Sequence, residues 1–292
     1  MAKILLFGED GQVGWELKRS LSVLGELTAP SMNDCDLSDK AKLKSVIRNL
    51  CPDIIVNAAA YTAVDQAETD IETAMCINAE APAILAEESR KINALLVDYS
   101  TDYVFDGAKS HAYDETDEPN PVNIYGFSKL AGLQAIQKSG CRHLIFRVSW
   151  VYGSHGNNFV KTMLRFAKER SELKIIADQI GSPTPADLIA DVTALAISLI
   201  QNGKGEEGVF NLVPTGEVSW HGFAEAIFNH AAQFTNDTAP KLLPIETSEY
   251  PAMAKRPFNS CLNTDKLEQA FGFYMPNWQW PLKHIIEEIV KA

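Results

Sequence analysis

The sequence "KILLFGEDGQVGWELKRSLSVL", residues 3–24, carries in order the signals of a buried strand, a glycine-rich turn and a helix. Its glycines, Gly8, Gly11 and Gly14, follow the apolar run directly in a G-x-x-G-x-x-G spacing. Glycine allows the backbone to turn sharply, and the free N–H groups at the start of a helix attract a pyrophosphate. The stretch therefore predicts a dinucleotide-binding turn, with a spacing different from the commoner G-x-G-x-x-G fingerprint.

Strand-like and helix-like segments continue to alternate through the first half of the chain. The apolar runs "DIIVNAAA" (53–60), "ALLVDYSTDYVF" (94–105) and "HLIFRVSWVYG" (143–153) are typical of buried parallel strands, and helical patterns lie between them. We expect an α/β fold with a Rossmann-like, doubly wound parallel sheet that binds a dinucleotide over residues 1–152. The looser pattern of residues 153–292 predicts a smaller mixed α/β lobe, mainly for substrate binding, with some segments returning to the first domain.

The bulk composition excludes several classes of partner. The chain has 292 residues, 46% of them hydrophobic, and a formal net charge of −12 without a long run of Lys or Arg. Nucleic acids and anionic membranes are therefore not expected partners. Five scattered cysteines without a C-x-x-C pair indicate reduced thiols and argue against zinc. No stretch approaches the roughly 20 apolar residues of a membrane span, so we expect a cytoplasmic protein.

The end of the second predicted strand bears on the choice of cofactor. The strand "GELTAPS" (25–31) ends at Ser31, where an acidic residue would favour NAD and an arginine would favour NADP. Asp36 either accepts a hydrogen bond from the adenine amino group or lies near a helix N-terminus capped by Ser38. The sequence therefore predicts weak discrimination between NADH and NADPH.

A tyrosine and a lysine four residues apart form the candidate catalytic pair. In "VNIYGFSKLAG" (122–132), Tyr125 and Lys129 share one face if the segment is helical. A phenol can protonate the alkoxide formed when a carbonyl is reduced, and a nearby ammonium stabilises the phenolate left behind. The same spacing also fits a half-buried aromatic ring beside a solvated lysine.

A second polar group follows the strand that ends at Ser100 and Thr101. In doubly wound sheets ligands bind outside the carboxyl ends of the strands, so a hydroxyl at this position can contact a substrate oxygen or the phenol. Alternatively, both hydroxyls satisfy backbone groups at the strand end.

Six segments together resemble the dTDP-4-dehydrorhamnose reductase family of the extended short-chain dehydrogenases/reductases. They are, in order, "LLFGEDGQVGWEL", "DIIVNAAAYTAVDQAE", "STDYVFDG", "IYGFSKLAG", "RVSWVYG" and "RPFNSCLNT". The resemblance covers nearly the whole chain. It implies reduction of the C4 ketone of dTDP-4-dehydro-6-deoxy-L-mannose to dTDP-L-rhamnose, with NADPH or NADH as cofactor and a dTDP-sugar as substrate.

Matching positions imply a role for each motif residue. The implied catalytic residues are Tyr125, Lys129 and Thr101. Cofactor contacts are expected from the glycine motif and from the ends of the following strands: Gly8, Gly11, Gln12, Val13, Gly14, Ser31, Asp36, Leu37, Ala58, Ala59, Ala60, Tyr61, Thr62, Tyr99, Tyr125 and Lys129. Substrate contacts are expected from Thr101, Asp102, Trp150, Arg256 and Asn259.

Two of these residues also have plainer interpretations. Arg256 suits phosphate oxygens through its planar guanidinium, but it could equally lie in a solvated surface turn. Trp150 could stack beside the sugar or the nicotinamide, or it could belong to the core.

Some family members dimerise around Mg²⁺ held by three carboxylates, and the matching positions are Glu16, Asp187 and Glu288. Oxygen ligands suit magnesium. The resemblance therefore implies a magnesium site and a homodimer, whereas the residues alone are typical of solvated helix faces.

Three rival functions follow from the same comparison. Related sugar-nucleotide dehydratases carry Thr-Asp-Glu after the strand, but Tyr103 occupies the third position here, and a phenol is too weak a base for water elimination. A non-catalytic, NADP-binding regulatory subunit would be favoured by loss of the Tyr–Lys pair, which this sequence retains. Another nucleotide-ketosugar reductase or an epimerase remains an alternative.

Overall fold

The computed structural model describes residues 1–235 and 239–291; residues 236–238 and Ala292, all within the predicted second lobe, lie outside the described residues. In chain order the elements are β1 (Ala2–Phe7), α1 (Gln12–Leu21), β2 (Gly25–Thr28), α2 (Lys40–Leu50), β3 (Ile54–Asn57), α3 (Val64–Ala67), α4 (Ile71–Met75), a π-helical turn (Cys76–Glu80), α5 (Ala81–Ile92), β4 (Leu95–Thr101), a 3₁₀ turn (Asp102–Val104), α6 (Ile124–Ser139), β5 (His143–Val148), β6 (Val151–Tyr152), α7 (Phe159–Glu169), β7 (Glu172–Ile176), β8 (Ile180–Gly181), β9 (Thr184–Pro185), α8 (Ala186–Gln201), β10 (Gly208–Asn211), β11 (Val218–Ser219), α9 (Trp220–Ala231), β12 (Lys241–Ile245), a 3₁₀ turn (Thr247–Glu249), β13 (Asn259–Ser260), α10 (Asp265–Phe271) and α11 (Gln279–Lys291).

The central feature is a six-stranded sheet with the order β10-β5-β4-β3-β1-β2. All of its neighbouring strands pair in parallel. The prediction of a Rossmann-like, doubly wound sheet is therefore confirmed. Because β1 lies between β2 and β3, the chain passes from β1 to β2 on one side of β1 and then crosses back to β3 on its other side. Ligands bind at such a switch point, outside the carboxyl ends of the strands.

Both faces of this sheet are covered by helices, which explains the nearly continuous apolar runs of its strands. On one face, Leu6 and Val97 belong to a buried cluster with side chains of α1 and α8. On the other face, Leu5 and Leu96 belong to a cluster with side chains of α2, α5 and α6. Successive strand residues point to opposite faces, so a strand buried on both sides loses its polar alternation.

The second half of the chain contributes to both parts of the molecule. Helices α7, α9 and α11 surround a separate buried cluster that includes Tyr152 and Phe223. Short strands form a three-stranded sheet and two pairs beside it. By contrast, α8 packs on α1, and β10 extends the central sheet at its β5 edge. The division of the chain after residue 152 stays a prediction.

Two glycines let α6 approach its neighbours closely. A Cβ built at Gly126 would lie 2.1 Å from the carbonyl oxygen of Tyr103, in the 3₁₀ turn after β4. A Cβ built at Gly132 would lie 2.1 Å from the carbonyl oxygen of Asn78, in the π-helical turn. A backbone carbonyl this close leaves no room for a Cβ unless α6 and the neighbouring turn move apart. The two glycines therefore set how deeply the segment that carries Tyr125 lies in the fold.

Replacement of Gly132 by alanine tests this close packing. In an ordinary helix interior the change stabilises by about 1 kcal/mol. At Gly132 we expect the free energy of unfolding to fall by about 1–3 kcal/mol, because the added methyl group overpacks the contact with Asn78. Chemical denaturation measures the difference.

The control for this variant is Gly153→Ala, whose added Cβ would meet only the Ala186 side chain, at 3.3 Å. We expect its stability to stay close to that of the wild type. A Gly132→Ala protein as stable as the wild type would contradict the packing account.

Candidate active site

The glycine turn sits at the carboxyl end of β1, as the motif predicts. Gly8 adopts φ +82°, and a Cβ at this position would lie 2.5 Å from the backbone nitrogen of Ala59. A Cβ at Gly14 would lie 1.9 Å from the carbonyl oxygen of Gly8. Gly11 occupies the N-cap of α1, which has no side-chain cap. The first turn, with Gln12 and Val13, therefore offers backbone N–H groups and the positive end of the helix dipole to an anion.

Ser31 lies beyond the second strand rather than at its end. Strand β2 ends at Thr28, three residues earlier than Ser31. The Ser31 hydroxyl donates to Asp34 Oδ2 at 2.7 Å. Asp34 thus places a carboxylate beside Ser31, where the end of the predicted strand carries no acidic residue of its own. Residue patterns could not reveal this contact, because it depends on the turn geometry.

Asp36 and Leu37 occupy the loop before α2. Asp36 Oδ1 accepts a hydrogen bond from the Ser38 N–H at 2.8 Å, and Leu37 is buried in the core. The expectation that Ser38 caps the following helix is wrong: Asp39 is the N-cap, and its side chain accepts from the first-turn N–H groups of α2. Asp is as good a cap as Ser and lies one residue closer to the helix.

The loop after β3 is held by an asparagine of the π-helical turn. The Tyr61 N–H donates to Asn78 Oδ1 at 2.9 Å, and Asn78 Nδ2 donates to the Tyr61 carbonyl at 3.0 Å. Asn78 Nδ2 also donates to Ser128 Oγ at 3.0 Å on α6. Asn78 therefore fixes the loop of Ala58, Ala59, Ala60 and Thr62 relative to the helix of Tyr125 and Lys129. Sequence reasoning missed Asn78; the available signal was Pro82, which interrupts an otherwise regular helix.

Tyr99 lies on the face of β4 opposite α6. Its hydroxyl is 2.8 Å from Thr193 Oγ1 of α8, and both side chains are buried. The hydroxyl thus takes part in the core, and a side-chain contact between Tyr99 and a cofactor stays a prediction.

Tyr125 lies in the first turn of α6, beside the end of β4. The helix begins after Asn123, whose Oδ1 accepts from the Gly126 N–H at 2.8 Å. Burial raises the pKa of Tyr125 to about 12; a hydrogen bond with Thr101 opposes this shift, and the Asp102 carboxylate adds to it. At neutral pH the phenol is therefore protonated, which is the form a proton donor needs.

Lys129 follows one helical turn later and is 4% exposed. Its Nζ lies 4.0 Å from Oδ2 of Asp98, in β4. The plainer interpretation of Lys129 as a solvated surface lysine is therefore wrong. Sequence reasoning missed Asp98, because a strand buried on both faces shows no alternation that would indicate where a carboxylate points or what it pairs with.

Of the two hydroxyls at the end of β4, that of Thr101 satisfies a backbone N–H, and its contact with a substrate stays a prediction. Thr101 Oγ1 donates to Asp102 Oδ1 at 2.9 Å and accepts from the Tyr103 N–H at 3.2 Å. The buried Ser100 hydroxyl has no hydrogen-bond partner among the described residues. Thr101 is thus anchored on the backbone while it also bonds to Tyr125.

Asp102 is a buried carboxyl group next to Tyr125. It is 3% exposed, and its Oδ2 has no hydrogen-bond partner among the described residues. Burial raises the pKa of Asp102 to about 6, opposed by hydrogen bonds with Ser260 and Thr101. An unpaired buried oxygen is costly, and functional sites are where such groups concentrate.

Arg256 reaches the same region but is already paired. It makes two hydrogen bonds to Asp65, with Nη1–Oδ1 at 3.2 Å and Nη2–Oδ2 at 2.6 Å. This pairing lowers the pKa of the Asp65 carboxyl, and the guanidinium also interacts with the Tyr103 hydroxyl. The side chain is half-buried, so the interpretation of Arg256 as a freely solvated cation is wrong.

The side-chain amide of Asn259 holds the loop of Lys109 and His111 in place. Its Nδ2 donates to the carbonyls of Lys109 and His111, both at 2.9 Å, and its Oδ1 accepts from the Cys261 N–H at 2.9 Å. These bonds use both N–H groups of the amide and one acceptor site of its oxygen. Asn259 therefore supports the loop, and its direct contact with substrate stays a prediction.

Trp150 follows β5 in a strained conformation. Its φ is +46°, which is unusual for a bulky residue, and its ring stacks on Trp220 at 3.6 Å between centroids. A Cβ at Gly181 would lie 2.6 Å from the Trp150 ring, so only glycine leaves room for it. Such strain is retained where surrounding structure over-determines it, often at ligand sites. Trp220 was missed, since nothing in the sequence pairs the two rings.

The predicted magnesium ligands lie near one another but do not form a site. Asp187 and Glu288 interact electrostatically with Glu16 and, after burial, raise its pKa. However, Glu16 is 3.7 Å from Arg19, and Asp187 accepts from the N–H of Leu188. Within residues 1–235 and 239–291, no three His, Cys, Asp or Glu side chains are arranged to hold a metal ion. The residues of one chain therefore do not fit magnesium.

The chain is similar to known proteins over nearly its whole length. The RmlD substrate binding domain family matches residues 2–291. The chain belongs to this family. It is 46% identical to the dTDP-4-dehydrorhamnose reductase of Escherichia coli K12 over 98% of this chain and 97% of that protein. It is 45% identical to the protein of the same name from Burkholderia thailandensis, over 99% of both chains.

A solved structure of the family matches the fold closely. The dTDP-4-dehydrorhamnose reductase of Bacillus anthracis, crystallised in complex with NADP, superposes with a TM-score of 0.91 at 36% identity. The match covers 98% of this chain and 99% of that one.

The raised pKa of Asp102 predicts a specific pH dependence of stability. Between roughly pH 4 and 6 the folded chain binds the Asp102 proton and the unfolded chain does not, so this contribution is present at low pH and is lost as the pH rises through about 6. Asp102→Asn removes the ionisation. Its free energy of unfolding, relative to the wild type, should therefore increase by on the order of 2–3 kcal/mol between pH 4 and 7.

Urea denaturation at a series of pH values measures this difference. If the two proteins differ by the same amount at every pH from about 4 to 7, Asp102 is not the buried acid described here.

Proposed function

We propose that this chain reduces the C4 ketone of dTDP-4-dehydro-6-deoxy-L-mannose to dTDP-L-rhamnose, using NADPH or NADH. The observation that carries the proposal is the placement of Tyr125, in the first turn of α6, beside Thr101 at the carboxyl end of β4 and one helical turn from the buried Lys129. The similarity to dTDP-4-dehydrorhamnose reductases over nearly the full length supports the choice of substrate.

The chain's own residues supply alignment and a proton. The nicotinamide, when bound, supplies hydride chemistry. The uncapped first turn of α1 would hold the pyrophosphate, and the Lys129 ammonium would hold the ribose next to the nicotinamide. Tyr125 then gives its proton to the C4 oxygen. Even with a pKa of about 12, the phenol is a stronger acid than the alcohol being formed, so the transfer runs downhill.

We propose that the substrate contacts Thr101, Asp102 and Trp150 on the exposed side of Tyr125. Thr101 offers a hydroxyl, and Asp102 offers a carboxyl group whose Oδ2 has no hydrogen-bond partner among the described residues. Trp150 offers a ring fixed by its stack on Trp220. We propose that Arg256 approaches the diphosphate while Asp65 orients its guanidinium, and that Asn259 acts indirectly by holding the loop.

Rival functions are less consistent with this geometry. Burial and the Asp102 charge raise the pKa of Tyr103, so its phenol stays protonated at neutral pH and does not supply the base that a dehydratase needs for elimination. A regulatory subunit has no need for a buried lysine one turn from a protonated tyrosine. Another ketosugar reductase or an epimerase shares these groups, and only substrate tests separate it.

Location and assembly complete the proposal. Within residues 1–235 and 239–291, no helix combines the length and the apolar character that crossing a bilayer requires. All five cysteines are free thiols, which suits a reducing compartment, and we propose that the chain acts in the cytoplasm. The homodimer remains a prediction from the family resemblance, and no step of the mechanism uses magnesium.

Tyr125→Phe tests the proton donor. The variant loses only the hydroxyl, so we expect kcat to fall by about 10²- to 10⁴-fold while NADPH still binds. The readouts are NADPH oxidation with dTDP-4-dehydrorhamnose and NADPH binding by fluorescence. The matched control is Tyr152→Phe, which removes a buried hydroxyl that has no hydrogen-bond partner among the described residues. Wild-type turnover by Tyr125→Phe would contradict the mechanism.

Asp34→Asn tests the choice of cofactor. Asp34 places a negative charge beside Ser31, where the adenosine ribose is expected, and would repel the 2′-phosphate of NADPH. Removal of the charge should raise the affinity for NADPH relative to NADH about fivefold, since unit charges near 4 Å in water interact by roughly 1 kcal/mol.

The affinity ratio is measured by fluorescence titration with both dinucleotides. Glu26→Gln, an equal charge change on an exposed residue of β2, is the control. An unchanged ratio in Asp34→Asn would show that the carboxylate does not face the cofactor.

A further inference from the structure

A buried carboxylate lies behind the catalytic pair and has no place in the mechanism above. Asp98 is in the middle of the central sheet and is 2% exposed. Its neighbour by strand register is Asn57 on β3. A buried charge is unfavourable unless it is paired, so its retention at this position requires an explanation.

Both neighbours of the Asp98 carboxyl group are hydrogen-bond donors. Asn57 Nδ2 donates to Oδ1 at 2.6 Å, and the Lys129 ammonium lies 4.0 Å from Oδ2. A carboxylic acid proton would need an acceptor; the ammonium has none, and Asn57 turns its NH₂ group, not its amide oxygen, toward Asp98. Burial raises the pKa of Asp98, while the Lys129 charge and the Asn57 hydrogen bond oppose that shift. The donor-only surroundings favour the ionised form.

We propose that Asp98 is a positioning residue: its carboxylate, fixed by Asn57, is the counter-charge that holds the buried Lys129 ammonium on the Tyr125 face of α6. The role in turnover rests on the proposed function. The effect on the lysine itself does not.

The consequence follows from burial. Without its counter-charge, the desolvated Lys129 releases its proton at a lower pH. The chain then loses the ammonium that holds the cofactor ribose and stabilises the phenolate. Activity that depends on this ammonium therefore disappears at a lower pH than in the wild type.

Other charges face the pair and are the same in wild type and variant. From the turn after β4, Asp102 and Tyr103 face Tyr125. Glu68 accepts from the Ile124 N–H at the start of α6. On β5, Arg147 is beside Ser100 by strand register, and it interacts electrostatically with Glu115, Asp117 and Asp114. Tyr99, next to Asp98 on the same strand, points to the opposite face and bonds to Thr193.

The test compares Asp98→Asn with wild type across the alkaline pH range. The variant keeps the size of the side chain and removes its charge. We expect the alkaline limb of the kcat/KM profile to move down by about one pH unit or more. We also expect NADPH affinity, measured by fluorescence without substrate, to weaken at the same lower pH.

The matched control is Glu88→Gln, the same chemical change at a buried carboxylate that is paired with exposed cations away from the site. Glu88 is held by Arg48 and Lys91, each at 2.7 Å, between α2 and α5. We expect it to lower stability and to leave both pH profiles in place. A structural role for Asp98 would produce the same pattern as Glu88→Gln.

The outcomes separate the two proposals. Unmoved profiles of folded Asp98→Asn would overturn the positioning role. If Asp98→Asn fails to fold, Asn57→Ser weakens the hydrogen bond that fixes the Asp98 carboxylate. This variant should move both pH profiles in the same direction by a smaller amount. Unmoved profiles in Asn57→Ser would overturn the positioning role equally. If the wild type reduces no dTDP-ketosugar, the proposed function fails, and the NADPH titration alone decides the role of Asp98.

Discussion

The close approach of α6 to the end of β4 is the constraint on which the candidate active site depends. Gly126 lies so near the Tyr103 carbonyl that any side chain would push the helix outward. Gly132 lies equally near the Asn78 carbonyl of the π-helical turn. With both contacts in place, Tyr125 reaches Thr101, and Lys129 reaches Asp98. A small outward shift of α6 would separate both pairs together, and misplacement of catalytic groups by about 1 Å is known to reduce rates strongly.

The site keeps several ionisable groups close together, and Asp98, Asp102 and Lys129 among them are buried. Burial raises the pKa values of both Tyr125 and Asp102, so both tend to retain protons. Lys129 stands out as the buried cation of this group, and Asp98 balances it. This arrangement separates a proton-donating side, near the expected substrate, from a charge-balanced side within the sheet. Low local dielectric makes each such interaction stronger than it would be in water.

The sheet, the glycine turn and the Tyr125–Lys129 pair were predictable, because each depends on local spacing. Apolar period, glycine positions and i, i+4 neighbours are properties of short segments. Asp98, Asn78, Asp65 and Trp220 were not predictable, since their partners lie 17 to 191 residues away in the chain. The cap of α2 was misassigned by one residue, an error within the usual uncertainty of helix ends. The paired state of Arg256 likewise depended on a distant carboxylate that motif reading cannot supply.

Transfer of deuterium from NADPH carrying deuterium at C4 of the nicotinamide to dTDP-4-dehydrorhamnose tests the central claim most directly. The proposed reduction places the cofactor hydride on the sugar carbon and the Tyr125 proton on the oxygen. Mass spectrometry and NMR of the product should therefore show one deuterium at C4 of the sugar, and none bound to carbon when unlabelled NADPH is used in D₂O. Oxidation of the cofactor without label at C4, or conversion of the sugar without net loss of NADPH, would contradict the account.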